Sequence, residues 1–70
     1  MTAYFAGAYV DARNCMLVAL ERAQSRKKDQ DLFVHVGDKR LALFDADAYV
    51  APWQWTHLVK VTVAGEVIAP

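Results

Sequence analysis

One segment limits what this chain can become. From Asp11 to Gln30 no glycine or proline intervenes, and apolar residues recur at helical spacing. At about 100° per residue, Ala12, Cys15, Met16, Ala19, Leu20 and Ala23 share one arc. Arg13, Asn14, Glu21, Gln24 and Ser25 fall outside it, the pattern of a helix laid on a core. Leu17 and Val18 flank the arc, one on each side. Asp11 is the expected N-cap, although Asn14 stands where a capping box needs Glu or Gln. Arg26, Lys27 and Lys28 suit the negative end of the helix dipole. The alanines permit close approach, either to a sheet of the same chain or to a helix of a second subunit.

Seventy residues allow one domain, residues 1–70. A chain this short buries only about 60% of its unfolded surface. Yet 56% of its residues are hydrophobic and 23% charged, more apolar side chains than a small interior holds. Some of that surface is expected to be used, or covered by a second copy. A single cysteine makes no internal disulfide. The opening lacks the basic and long apolar regions of a secretory leader, and no stretch has the apolar length of a membrane span. The expectation is a cytoplasmic protein with no membrane partner.

The remaining segments read as strands. Ala3 to Val10 is the first, with Tyr4, Ala6, Ala8 and Val10 on one face and Gly7 as a candidate bulge. Leu32 to Val36 alternates, with Leu32, Val34 and Val36 inward. Gly37-Asp38 marks a turn into Arg40 to Phe44, which predicts a hairpin. Asp45 to Ala51 is either one helical turn capped by Asp45 or an irregular edge segment, and Pro52 disfavours helix just before it. Trp53 to Thr62 predicts the longest strand, with Trp53, Trp55, His57, Val59, Val61 and Val63 on one side and Leu58 the exception on the other. Ala64-Gly65 turns the chain into a last strand, Glu66 to Ala69, along Val61 to Val63. The sum is an α+β fold, β-α-β-β-β-β. One amphipathic helix packs on a small, mostly antiparallel sheet of four or five strands. The other face of the sheet has no second helix, and Phe5, Tyr9, Phe33 and His35 are its candidate residues.

Three function classes compete. The aromatic group Tyr49, Trp53 and Trp55 suits a partner-binding surface, with Asp45 and Asp47 on its rim. On a strand, Trp53 and Trp55 would point to one side, where they serve either the core or an interface. This predicts a non-enzymatic interaction module, an inhibitor or accessory subunit, with a protein partner or a homodimer. Inhibitors carried by phages or other mobile elements are often this small, an analogy of length alone. The second class is a nucleic-acid-binding module using Arg22, Arg26, Lys27, Lys28, Lys39 and Arg40. Through Phe44 the chain carries seven basic and five acidic residues, and from Asp45 one basic and three acidic. A net charge of zero argues against a dominant phosphate-binding role. The third is a small metal-dependent enzyme built on Asp45, Asp47 and His57. Asp45-x-Asp47 is too short a signal for a metal or acid–base site, and neither His35 nor His57 has a metal-ligand spacing. Cys15 on the apolar arc reads as an inert core thiol. No metal, cofactor or catalytic residue is therefore expected.

Overall fold

The computed structural model describes residues 3–70. Met1 and Thr2, included above in the single domain, lie outside them. The elements are β1 (Tyr4–Ala8), a 3-10 turn (Tyr9–Asp11), α1 (Ala12–Arg26), β2 (Gln30–His35), β3 (Arg40–Asp45), β4 (Trp55–Val61) and β5 (Val67–Ile68). The strands form one open sheet in the order β1-β3-β2-β4-β5, and every paired neighbour is antiparallel. The predicted α+β architecture, one helix on a small antiparallel sheet, is the one observed.

The helix is shorter than its periodicity suggests. The chain first makes a 3-10 turn, so Asp11 takes φ −100° and its side chain caps nothing. At the other end Lys27 adopts a left-handed conformation, φ 58°, and its N–H and that of Lys28 both bond to the carbonyl of Ala23. Such an ending satisfies the last carbonyls and normally uses glycine. Here a lysine does it. Gln30, read as the end of the helix, instead opens β2 fully buried.

Cys15, Ala19 and Ala23 carry the buried stripe of α1. Cys15 and Ala19 pack with Leu32 and Val34 of β2, Leu41 and Leu43 of β3 and Val61 of β4. Small residues on the helix let its axis come close to the sheet. The Cys15 thiol donates to the Ala6 carbonyl at 2.9 Å, which fastens α1 to β1. Burial pushes the Cys15 thiol up, and the neighbouring Asp11 carboxylate adds to it.

Two bulges set which side chains face the helix. In β1 the register slips between Phe5 and Gly7. Tyr4 lies opposite Leu43 and Phe5 opposite Ala42, and Ala6 packs on the core. In β4 Leu32 pairs with Val59 but Phe33 with His57, so Leu58 is an extra residue. The single-sided parity expected from Trp53 to Val63 therefore breaks. Thr56, Leu58, Val59 and Val61 face the helix, whereas Trp55, His57 and Lys60 face away. A bulge leaves one residue out of the pairing and turns the side chains after it. It also explains why apolar Leu58 stands on the otherwise polar parity.

Other boundaries differ in detail. The β2–β3 hairpin is present, but its left-handed residue is Lys39, φ 62°, not Gly37. Val36 lies in the turn and is exposed rather than inward. Trp53 and Gln54 belong to a turn, and β4 begins only at Trp55. The last strand is two residues long and pairs with Lys60 and Val61, not with Val63. Tyr9 leaves the sheet for the 3-10 turn, so it is not on the face opposite α1.

The topology holds two crossovers. β1 and β2 both run antiparallel to β3, and α1 joins them across it. β3 and β4 both run antiparallel to β2, and residues 46–54 join them across it. The second connection steps the same way across the sheet from a strand of opposite sense. Right-handed crossovers therefore put the two connections on opposite faces. Burial agrees: Ala42 and Phe44 point away from α1, yet they are only 0% and 8% exposed.

Candidate functional site

The face opposite α1 carries an aromatic layer. Phe33 meets Phe44 edge-on at 5.3 Å between ring centres, and Phe44 meets Trp55 at 5.4 Å. His35 packs on Trp55 at 5.0 Å and His57 on Phe33 at 4.9 Å. Edge-on aromatic pairs of this kind add about 0.5–1.5 kcal/mol each beyond their burial. At the margin the Arg40 guanidinium lies 4.7 Å over the Phe5 ring. Charges on this face come in neutralised groups. Asp31 accepts from His57 at 3.1 Å with Lys60 at 4.0 Å, and Asp38 pairs with Arg40 at 2.6 Å and His35 at 3.1 Å.

The crossover is tied at both ends of the strand it passes. The Ala46 N–H donates to the Asp29 carbonyl at 3.0 Å, just before β2. The Val36 N–H donates to the Gln54 carbonyl at 2.8 Å, just after it. Between them, Ala48 N–H bonds to Asp45, and Gln54 N–H and Trp55 N–H both bond to Ala51. Ala48, Val50 and Ala51 are half-buried. Tyr49 and Trp53 are not: they are 77% and 70% exposed. Trp53 and Trp55 do not share a face as expected on a continuous strand, because Trp53 stands in the turn before it. Trp55 belongs to the aromatic layer and Trp53 to the surface above.

Asp45 and Asp47 also separate. Asp45 is 2% exposed and accepts two hydrogen bonds from Arg26 and one from Gln30 Nε2 at 2.7 Å. Gln30 in turn donates to the carbonyls of Lys28 and Asp29 and accepts from Arg22 at 3.3 Å. The Arg26 hydrogen bonds hold the Asp45 carboxyl down at about 2, against the opposing effect of burial. This clasp joins the end of α1 to β2 and β3. It leaves Asp45 no free oxygen for a rim. Asp47 is exposed and pairs with Lys28 at 3.2 Å.

The basic residues do not form one patch. Arg22 lies 4.5 Å over the Tyr4 ring and reaches Gln30, Arg26 is committed to Asp45, and Lys28 to Asp47. Lys39 and Arg40 sit beyond the other end of β2, and Arg40 is paired with Asp38. Lys27 and Lys39 have no acidic partner among the described residues. His57 meets Asp31 rather than Asp45 or Asp47. Among the described residues no three His, Cys, Asp or Glu side chains gather as a metal site.

Sequence reasoning passed over Gln30, Phe44 and Asp31. Gln30 closed the stretch read as helix, and only its strand register shows that it is inward. Phe44 carried a usable signal, since it ends a run whose alternate residues Leu41 and Leu43 already fill the helix side. No helix among the described residues is long and apolar enough to cross a membrane. Comparison with protein-family models, with curated proteins and with solved structures yields no match.

Proposed function

We propose that this chain is a small non-enzymatic interaction module that binds a protein partner through the crossover, with Tyr49 and Trp53 as its contact residues. The observation that carries the reading is their exposure on a segment tied at both ends and backed by an aromatic layer. Large aromatics left in water on a rigid support bind with little ordering cost, which is the character of interface hot spots. Asp47 and Gln54 supply polar groups beside them, both exposed. Such a module acts as an inhibitor or accessory subunit, by covering or bridging a site on its partner. The free, buried Cys15 suits a reducing, cytoplasmic setting.

Neutral charge and the division of the basic residues between opposite ends of the sheet favour protein over nucleic acid. The test is affinity capture with the native chain and with a Tyr49→Ala/Trp53→Ala variant of unchanged thermal stability. A protein held by the first and lost by the second supports the reading. Equal retention of every captured protein by both overturns it. Sedimentation of the two chains alone shows whether a second copy is the occupant.

A further inference from the structure

The helix leaves one corner of its own face uncovered. It starts beside the end of β1 and runs toward Asp45 and Gln30, where Arg26 is clasped. The end of β2 and the start of β4 lie away from that line. A hollow of about 470 Å³ opens there, lined by Tyr9, Val34, Lys39, Thr56 and Leu58. Thr56 lies opposite Val34, which is part of the core, so the floor of the hollow is the helix side of the sheet. It is thus separate from Tyr49, Trp53 and the crossover.

The lining has a definite chemistry. The five lining residues are apolar Val34 and Leu58, hydroxyl-bearing Tyr9 and Thr56, and cationic Lys39. None of the five is acidic. The Lys39 backbone is fixed: φ is 62° and its N–H bonds to the His35 carbonyl at 3.1 Å. Its ammonium has no acidic partner among the described residues, although Asp38 beside it is held by Arg40. The volume falls within the range of small-molecule sites, about 300–1,000 Å³. We infer that this hollow binds a small monocarboxylate with an apolar body. The apolar part rests on Val34 and Leu58, and the carboxylate meets Lys39 with the Tyr9 or Thr56 hydroxyl donating beside it.

The probe is 3-phenylpropanoate, titrated into the full chain at low salt and followed by amide and methyl NMR, with 3-phenylpropan-1-ol as its uncharged counterpart. Shifts centred on Val34, Lys39, Thr56 and Leu58 are expected. The alcohol should bind about two- to fivefold more weakly, the weight of one exposed ion pair. High salt should narrow that gap. Lys39→Asn should abolish the preference for the carboxylate, and asparagine tolerates the left-handed conformation. Thr56→Trp, at an exposed position, should fill the hollow and abolish binding with the fold retained. The inference is overturned if no resonance of the lining moves at millimolar probe, or if alcohol and carboxylate bind equally. It is also overturned if Lys39→Asn keeps the preference, or if the shifts centre on Tyr49 and Trp53 instead.

Discussion

The two faces of the sheet are covered by connections of different kinds. On one, a helix satisfies its own backbone hydrogen bonds and needs only to bury side chains. Ala19 and Cys15 do so against Leu32, Leu41 and Leu43. On the other, residues 46–54 have no regular ladder, so their amides must find partners elsewhere. Those of Ala46, Ala48 and Gln54 find them at the carbonyls of Asp29, Asp45 and Ala51, and the Gln54 carbonyl accepts from Val36. That arrangement fixes the path but gives the segment no continuous buried stripe. Small residues go in, and Tyr49 and Trp53 stay out. Asp45 and Asp47 mark the division. The first belongs to the clasp under the helix end, the second to solvent.

If the crossover face is a second core, Phe44→Ala should be among the most costly single changes. Phe44 is 8% exposed and touches both Phe33 and Trp55. A loss of about 3–4 kcal/mol by urea denaturation is expected, comparable with that of Leu43→Ala on the helix side. A loss of less than about 1 kcal/mol for Phe44→Ala alone would show that only the helix face holds the fold together.

The clasp comes next. Asp45→Ala takes the carboxylate from the Arg26 guanidinium and the shortest of three acceptors from Gln30 Nε2, which is fully buried and keeps only the Lys28 and Asp29 carbonyls at 3.3 Å. Removing one partner of a buried pair costs about 3–5 kcal/mol, and Arg26, with 42% of its side chain exposed, recovers part of that from water. About 2–3 kcal/mol is the expected outcome. Asp47→Ala should change stability by less than about 0.5 kcal/mol, because its pair with Lys28 is exposed. Equal effects at the two positions would erase the distinction between them.

A smaller effect follows from protonation. The Asp45 carboxyl ionises at about 2 in the folded chain against 3.8 ordinarily, so folding favours its charged form. That contribution is complete above the unfolded value and is lost as pH falls from 3.8 toward about 2. Its size is on the order of 1 kcal/mol after screening at the exposed Arg26 side. Urea midpoints measured down that range should fall for the native chain, and Asp45→Asn should remove this part of the slope.

The fold was legible where one physical rule governs a segment. Helical periodicity located α1, and Gly37-Asp38 located the hairpin. Legibility failed where the rule depends on neighbours. Nothing local distinguishes Lys27 as a left-handed terminator, because its conformation follows from the chain turning back into β2. Leu58 looked like an error in an alternating strand, and only the register against β2 shows a bulge. The aromatic group was visible as composition, but its division was not. Whether Trp53 and Trp55 share a side depends on where β4 begins, and the tether of Gln54 to Val36 decides that.

The smallest expected stability effect bears most directly on function. Trp53→Ala removes a side chain that is 70% exposed and makes none of the aromatic contacts that hold Trp55. Its backbone lies within a turn closed by the Ala51 carbonyl, which the substitution leaves intact. The change in unfolding free energy should stay within about 0.5 kcal/mol. Trp55→Ala, two residues on, should cost about 2–3 kcal/mol, since it opens the layer between His35 and Phe44. In a partner-binding assay the ranking should invert. Trp53→Ala should weaken binding about tenfold or more, with the fold unchanged. If Trp53→Ala instead destabilises the chain as much as Trp55→Ala does, the crossover buries more than it shows. Trp53 would then be scaffold and not contact surface.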